Sequence, residues 1–210
     1  MIIKSEVQKT IIKGVSLKGV GLHTGEEVEL NFKPAPANTG FVFVRTDLKP
    51  NVFIPADAQY VINTDRGTNL KKDGAKIQTS EHVLAALVGM GVNNCLIEIN
   101  SSEPPIMDGS SKFFVESLKK AGIKKQNEYL EEYVVEDVIS HIDENGSEII
   151  LIPSEKSSIS VLVDYKTKVL GTQNATLENI TDFDKEIASS RTFSFLHELE
   201  TLLDNGLIKG

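Results

Sequence analysis

One cysteine, Cys95, in 210 residues rules out an intrachain disulfide and a zinc site built from several thiolates. Any metal held here must rely on His, Asp or Glu. Basic residues are also in short supply. The 22 Lys and Arg stand against 30 Asp and Glu, a formal net charge of −8, and such a surface repels a phosphate backbone over most of its area. A nucleic-acid partner is therefore not expected. No run approaches the ~18 apolar residues that a membrane-spanning helix requires. The opening MIIKSEVQKTIIKG lacks an apolar signal core followed by a small-residue cleavage site, so a soluble, cytoplasmic protein is expected. HExxH, HxH and CxxC spacings are missing too, and no contiguous segment supplies a complete metal site.

What is present reads as an ordinary globular chain. Apolar residues make up 40% and charged residues 25%, which excludes disorder and coiled coil, and 9 Phe with 4 Tyr can anchor a core. Short Val, Ile and Phe-rich runs at 8–15, 28–32, 40–45 and 52–55 read as strands, separated by the glycine and proline clusters GVGLHTG and KPAPANTG. Thr79 is the expected N-cap of a first helix over 80–90, with Val83, Leu84, Leu87 and Val88 inward. A strand at 94–100, with Cys95, Ile97 and Ile99 on one face, and a second helix at 111–120 follow. The polar stretch KKQNEYLEE at 124–132 reads as a domain boundary. Strands then resume at 133–141, 147–153 and 159–165, and a last helix is expected to begin at Arg191-Thr192-Phe193. Helices set to one side of mainly antiparallel strands give an α+β class, with domains at 1–125 and 126–210, the second short of a closing strand and helix.

Several residues could carry chemistry. Glu81 and His82 fall in the first turn of the expected helix, where the positive dipole end favours a carboxylate and disfavours an imidazolium. Neutral imidazole ligates metals, and a neighbouring carboxylate can take a proton from water; a dipole match beside a packing histidine is the simpler alternative. His82, Ala85, Ala86 and Gly89 share a face nearly bare of side chains, open to close approach by a backbone or a cavity. His23, in the glycine-flanked GLHTG, reads first as part of a tight turn, and His141 and His197 as surface or packing residues. Asp108 can build an Asx turn or cap the next helix. Thr192 can cap a helix or donate to an oxyanion. The GxG of GVGLHTG lacks the strand-to-helix setting of a phosphate-binding loop.

Taken together, GVGLHTG at 19–25, PAPANTG at 34–40, RTDL at 45–48, TSEH at 79–82, PIMDGS at 105–110 and RTF at 191–193 resemble one family. It is that of the zinc-dependent UDP-3-O-acyl-N-acetylglucosamine deacetylases of lipid A biosynthesis. The resemblance implies two similar α+β domains with the active site between them. It implies Glu81 as the general base, His82 as one zinc ligand, Thr192 as the oxyanion donor and Phe193 as a residue lining the substrate site. It also implies a monomer acting on a small UDP-linked substrate. The family's remaining zinc ligands and a later catalytic histidine match nothing in 1–210, and they are expected beyond residue 210. The chain by itself is then expected to be inactive. A non-catalytic nucleotide-sugar or acyl-binding module of the same fold, or half of a split enzyme, are the competing readings.

Overall fold

The computed structural model describes residues 2–155 and 158–210. Its centre is a five-stranded sheet in the order β2-β3-β9-β4-β5, formed by Val15–Val20, Glu27–Pro34, Cys95–Ile99, Phe41–Arg45 and Val52–Pro55. All its pairings are antiparallel except β4 with β9. Side chains alternate across a strand, so Cys95, Ile97 and Ile99 of β9 turn to one side, as expected from the sequence, and there they are fully buried. They meet Leu30 and Phe32 of β3, Phe43 of β4 and Ile54 of β5.

Helices α1 (Glu81–Gly89) and α2 (Lys112–Ala121) cover this face. Val83, Ala86 and Leu87 of α1 and Phe114, Val115 and Leu118 of α2 are the inward sets at helical spacing. Phe32 and Phe114 meet edge to face at 6.4 Å. Each such side chain contributes roughly 1.5–3 kcal/mol on full burial, so this layer is the main source of stability. Gly122, at φ +68°, lets the chain leave α2 in a conformation that side chains resist. A smaller sheet of β6 (Val61–Asn63), β7 (Asn69–Lys72) and β8 (Ala75–Ile77) lies beside β5 and leads into α1.

Two expectations need correction, and one strand was not anticipated. The first helix begins one residue later than expected, with Ser80 as N-cap, because Thr79 sits at φ +50° and its hydroxyl bonds elsewhere. The polar stretch 124–132 lies within a strand, β10 (Ile123–Tyr133), paired antiparallel with β1 (Ile2–Ile11). A two-stranded ribbon satisfies its backbone through the partner strand and can leave most side chains in water, so polarity did not exclude strand. Residues 191–195 are not helical; α4 spans Leu196–Asp204 and Phe195 is its N-cap. The backbone N–H of Phe195 donates to Glu198 at 3.0 Å, while the Thr192 N–H is taken by another loop.

Beyond residue 133 the elements are small hairpins: β11 (Ile139–Ile142) with β12 (Glu148–Leu151), and β13 (Ile159–Asp164) with β14 (Thr172–Leu177). The first hairpin turns at the expected DENG, where Asp143 accepts from the backbone of Asn145 and Ser147. The short helix α3 (Phe183–Glu186) docks on α1. The bare stripe of α1 is filled at one end by the Phe183 ring on Gly89, and Lys119 of α2 pairs with Asp184 at 2.5 Å. An apolar cavity of about 210 Å³, lined by Ala85, Val161, Leu177 and Phe183 among others, adjoins this contact. A Cβ on Gly89 would overlap the Phe183 ring. Gly89→Ala should therefore destabilise the chain by about 1–3 kcal/mol in urea unfolding, and Phe183→Ala should reduce that penalty when combined with it. Equal stability of the glycine and alanine proteins would show that α3 does not dock this way.

Candidate active site

The N-terminus of α1 is fixed by contacts on two sides. On one, the hydroxyl and N–H of Ser80 both donate to the Thr68 carbonyl, at 2.8 and 3.2 Å, and the Thr68 N–H donates to Oε2 of Glu81 at 2.8 Å. The preceding Gly67 lies so close that a Cβ there would stand 3.2 Å from Oε1 of Glu81. On the other side, Thr79 donates to Glu103 at 2.9 Å. Glu81 thus lies in the first turn as expected, at the first helical position, half-buried, with one oxygen held and the positive end of the helix behind it.

His82 is also half-buried, and its own carbonyl accepts from the Ser111 hydroxyl at 3.0 Å, tying α1 to the start of α2. Burial holds the imidazole below its ordinary protonation range, while the carboxylates of Glu81 and Asp108 act in the opposite direction. Near neutral pH the ring is therefore in the uncharged form that can bind a metal. Asp108 forms the Asx turn anticipated for it, accepting from the Ser110 N–H at 3.1 Å and the Ser110 hydroxyl at 2.6 Å.

The loop carrying Asp108 also anchors Thr192. Gly109 accepts the Thr192 N–H at 2.8 Å, and a Cβ on Gly109 would stand 3.5 Å from the threonine methyl. Since Thr192 lies outside the helix, it does not play the capping role that its expected position allowed. Phe193 is 57% exposed and meets Tyr165 at 5.4 Å and Phe195 at 5.5 Å between ring centres. Arg66, just before Gly67, reaches Glu198 of α4 at 3.0 Å and so joins the Thr68 turn to the segment following Phe193. Glu81, His82, the Asp108–Gly109 loop and Thr192 thereby belong to one connected set.

Other candidates stay apart. His141 is exposed on β11, and His197, in the first turn of α4, stacks on Phe195 at 5.4 Å. Both ring nitrogens of His23 are buried without a hydrogen-bond partner among the described residues, so its polar contact is through its backbone. Cys95 is buried, and desolvation pushes its thiol up to about 12, which leaves it inert. Sequence reasoning missed Thr68, Ser80, Glu103 and Ser111. Each acts by contact with a residue distant in the chain, and no local pattern marks them.

Among the described residues, no group of three or more His, Cys, Asp and Glu is arranged to hold a metal ion. His82 therefore does not find in them the three-ligand set on which catalytic zinc sites generally depend. In the metal-free chain the His82 ring should titrate below 6.5, and Glu81→Gln, which removes a charge favouring the imidazolium, should lower the midpoint further. Ring-proton NMR shifts followed against pH provide the measurement, and a midpoint above 6.5 would contradict the burial described.

A model of the LpxC family, UDP-3-O-acyl N-acetylglycosamine deacetylase, matches residues 8–210. The chain is 44% identical over 204 residues to the bifunctional enzyme LpxC/FabZ of Bacteroides thetaiotaomicron, covering 97% of this chain and 44% of that protein. It is 41% identical over 204 residues to the UDP-3-O-acyl-N-acetylglucosamine deacetylase of Myxococcus xanthus, covering 97% and 65%. The protein of that name from Chromohalobacter salexigens is 39% identical over 206 residues, with 97% and 68% covered. The chain thus spans less than half of the bifunctional relative and about two thirds of the other two.

Proposed function

The chain belongs to the UDP-3-O-acyl N-acetylglycosamine deacetylase family, and we propose that it carries the general-base side of a site that removes the N-acetyl group from UDP-3-O-acyl-N-acetylglucosamine in lipid A biosynthesis. The observation that carries this reading is the arrangement of Glu81 and His82 at the head of α1, with Thr192 held to the adjoining loop through Gly109. A carboxylate with one oxygen fixed by Thr68 is oriented to accept a proton from water attacking the acetamide carbonyl. The Thr192 hydroxyl donates to the oxygen that becomes negative, and Phe193 lines the substrate site. The proton taken up by Glu81 balances the one that the departing amine must gain.

Zinc is the proposed cofactor and His82 one of its ligands, the others coming from outside the described residues. When bound, zinc would acidify water and polarise a carbonyl. The uncharged state of His82 supports this role. The division into α+β units at 1–125 and 126–210 is likewise proposed, with the second unit incomplete by itself. Its support is the apolar surface left uncovered there: Ile142 is 61%, Ile149 66% and Leu162 73% exposed. No helix among the described residues is long and apolar enough to cross a membrane. A cytoplasmic monomer working on a UDP-linked small molecule is the corresponding setting.

The test assays zinc content and deacetylation in residues 1–210 alone and in the protein expressed from the whole gene. The shorter chain should hold no stoichiometric zinc and show no turnover. In the longer one, Glu81→Gln should cut kcat by roughly 10²–10⁴ with zinc retained, the range of a lost general base. His82→Ala should release the metal. Full turnover by residues 1–210 alone, or equal metal loss in both variants, would overturn these roles; substrate binding without turnover in every form would leave a binding module. Activity restored only by a separate polypeptide would identify a split enzyme.

A further inference from the structure

Glu103 is fully buried, yet no ion pair reaches it among the described residues. A carboxylate taken out of water is retained only if donors replace its hydration. Here they come from two remote segments. The successive backbone N–H groups of His23 and Thr24 donate to Oε2 at 3.0 and 2.9 Å, a small nest for an anion, and the Thr79 hydroxyl donates to Oε1 at 2.9 Å. Gly21 makes room for this approach, since a Cβ there would stand 2.8 Å from Oε2.

The third donor is the informative one. Thr79 is β-branched and sits at φ +50°, a conformation that costs a residue of this kind on the order of 1–3 kcal/mol and persists only where its surroundings impose it. It is buried, and it immediately precedes Ser80 and Glu81, so its backbone sets the direction in which α1 starts. We propose that Glu103 is a positioning residue that holds Thr79 in this turn, and through it fixes Glu81 and His82 relative to the GLHTG loop. The inference rests on the roles given above to Glu81 and His82 and adds the element that orients them. Thr68 anchors the same helix start from the opposite side, but to a neighbouring turn of the chain, whereas Glu103 ties it to residues 23 and 24.

The test compares Thr79→Val, Thr79→Ser and Glu103→Gln in the protein expressed from the whole gene. Valine keeps the shape and β-branch of threonine but cannot donate. Both Thr79→Val and Glu103→Gln should lower kcat by on the order of tenfold to a hundredfold, the scale of a displaced reacting group, with KM and bound zinc unchanged. Thr79→Ser should retain kcat. The double variant Thr79→Val/Glu103→Gln should lose no more than the worse single variant, because both changes act on the same Thr79–Glu103 contact. Thr79→Val should also speed amide exchange at His23 and Thr24, on the far side of the carboxylate, which a defect confined to Thr79 would not do. Wild-type kcat in a folded Thr79→Val protein, additive losses, or unaltered exchange at residues 23 and 24 would each overturn the proposal. Should Glu103→Gln not fold, Thr79→Val decides. If Glu81→Gln itself leaves kcat intact, the functional reading falls, and the exchange coupling alone judges the role of Glu103.

Discussion

A carboxylate without water must be matched by donors, and this requirement at Glu103 ties together segments that the chain order keeps far apart. The residue lies between the end of β9 and α2, while its donors lie in the loop after β2 and in the turn before α1. Leaving such a group unpaired costs several kcal/mol, so the three segments hold one another in place. The sheet and the two helices supply the low-dielectric setting that makes the requirement severe.

The same layer explains why the candidate site is built on the ends of rigid elements. Glu81 and His82 stand at the head of a helix whose body is locked into the core by Val83, Ala86 and Leu87. A small shift of the helix would have to disturb that packing. The head of the helix is then trimmed by polar contacts from Thr68, Ser80, Thr79 and Ser111, each worth about 0.5–1.5 kcal/mol and directional. Coarse placement comes from apolar burial, and fine placement from hydrogen bonds. Thr192 is held differently, by a backbone bond to a loop, and its neighbour Phe193 remains half out in water.

The sheet strands and the first two helices were legible in the sequence because period-2 and helical apolar patterns report directly on which side of an element faces the core. The errors fell where another interaction outweighed that pattern. Residues 124–132 are charged and carry no apolar alternation, so a strand there was not legible, but β1 supplies backbone partners for one whose side chains stay mostly in water. Residues 191–195 looked like a helix start because an apolar stripe follows, but the Thr192 N–H is bonded to the Gly109 carbonyl, Phe193 packs on Tyr165, and the helix begins only at Leu196. Thr79 looked like a cap, and its hydroxyl is instead spent on Glu103.

The sequence by itself determined the α+β class, the absence of a disulfide or thiolate metal site, the acidic surface, and the pairing of a carboxylate with an imidazole at a helix start. Those follow from composition and from spacing along the chain, which are local properties. Only the tertiary structure decided that Asp108 lies close enough to influence His82, that Gly109 anchors Thr192, that Phe183 fills the bare stripe at Gly89, and that Glu103 joins the GLHTG loop to α1. Each is a contact between residues at least 24 positions apart, set by how apolar faces pack and by where buried polar groups find partners.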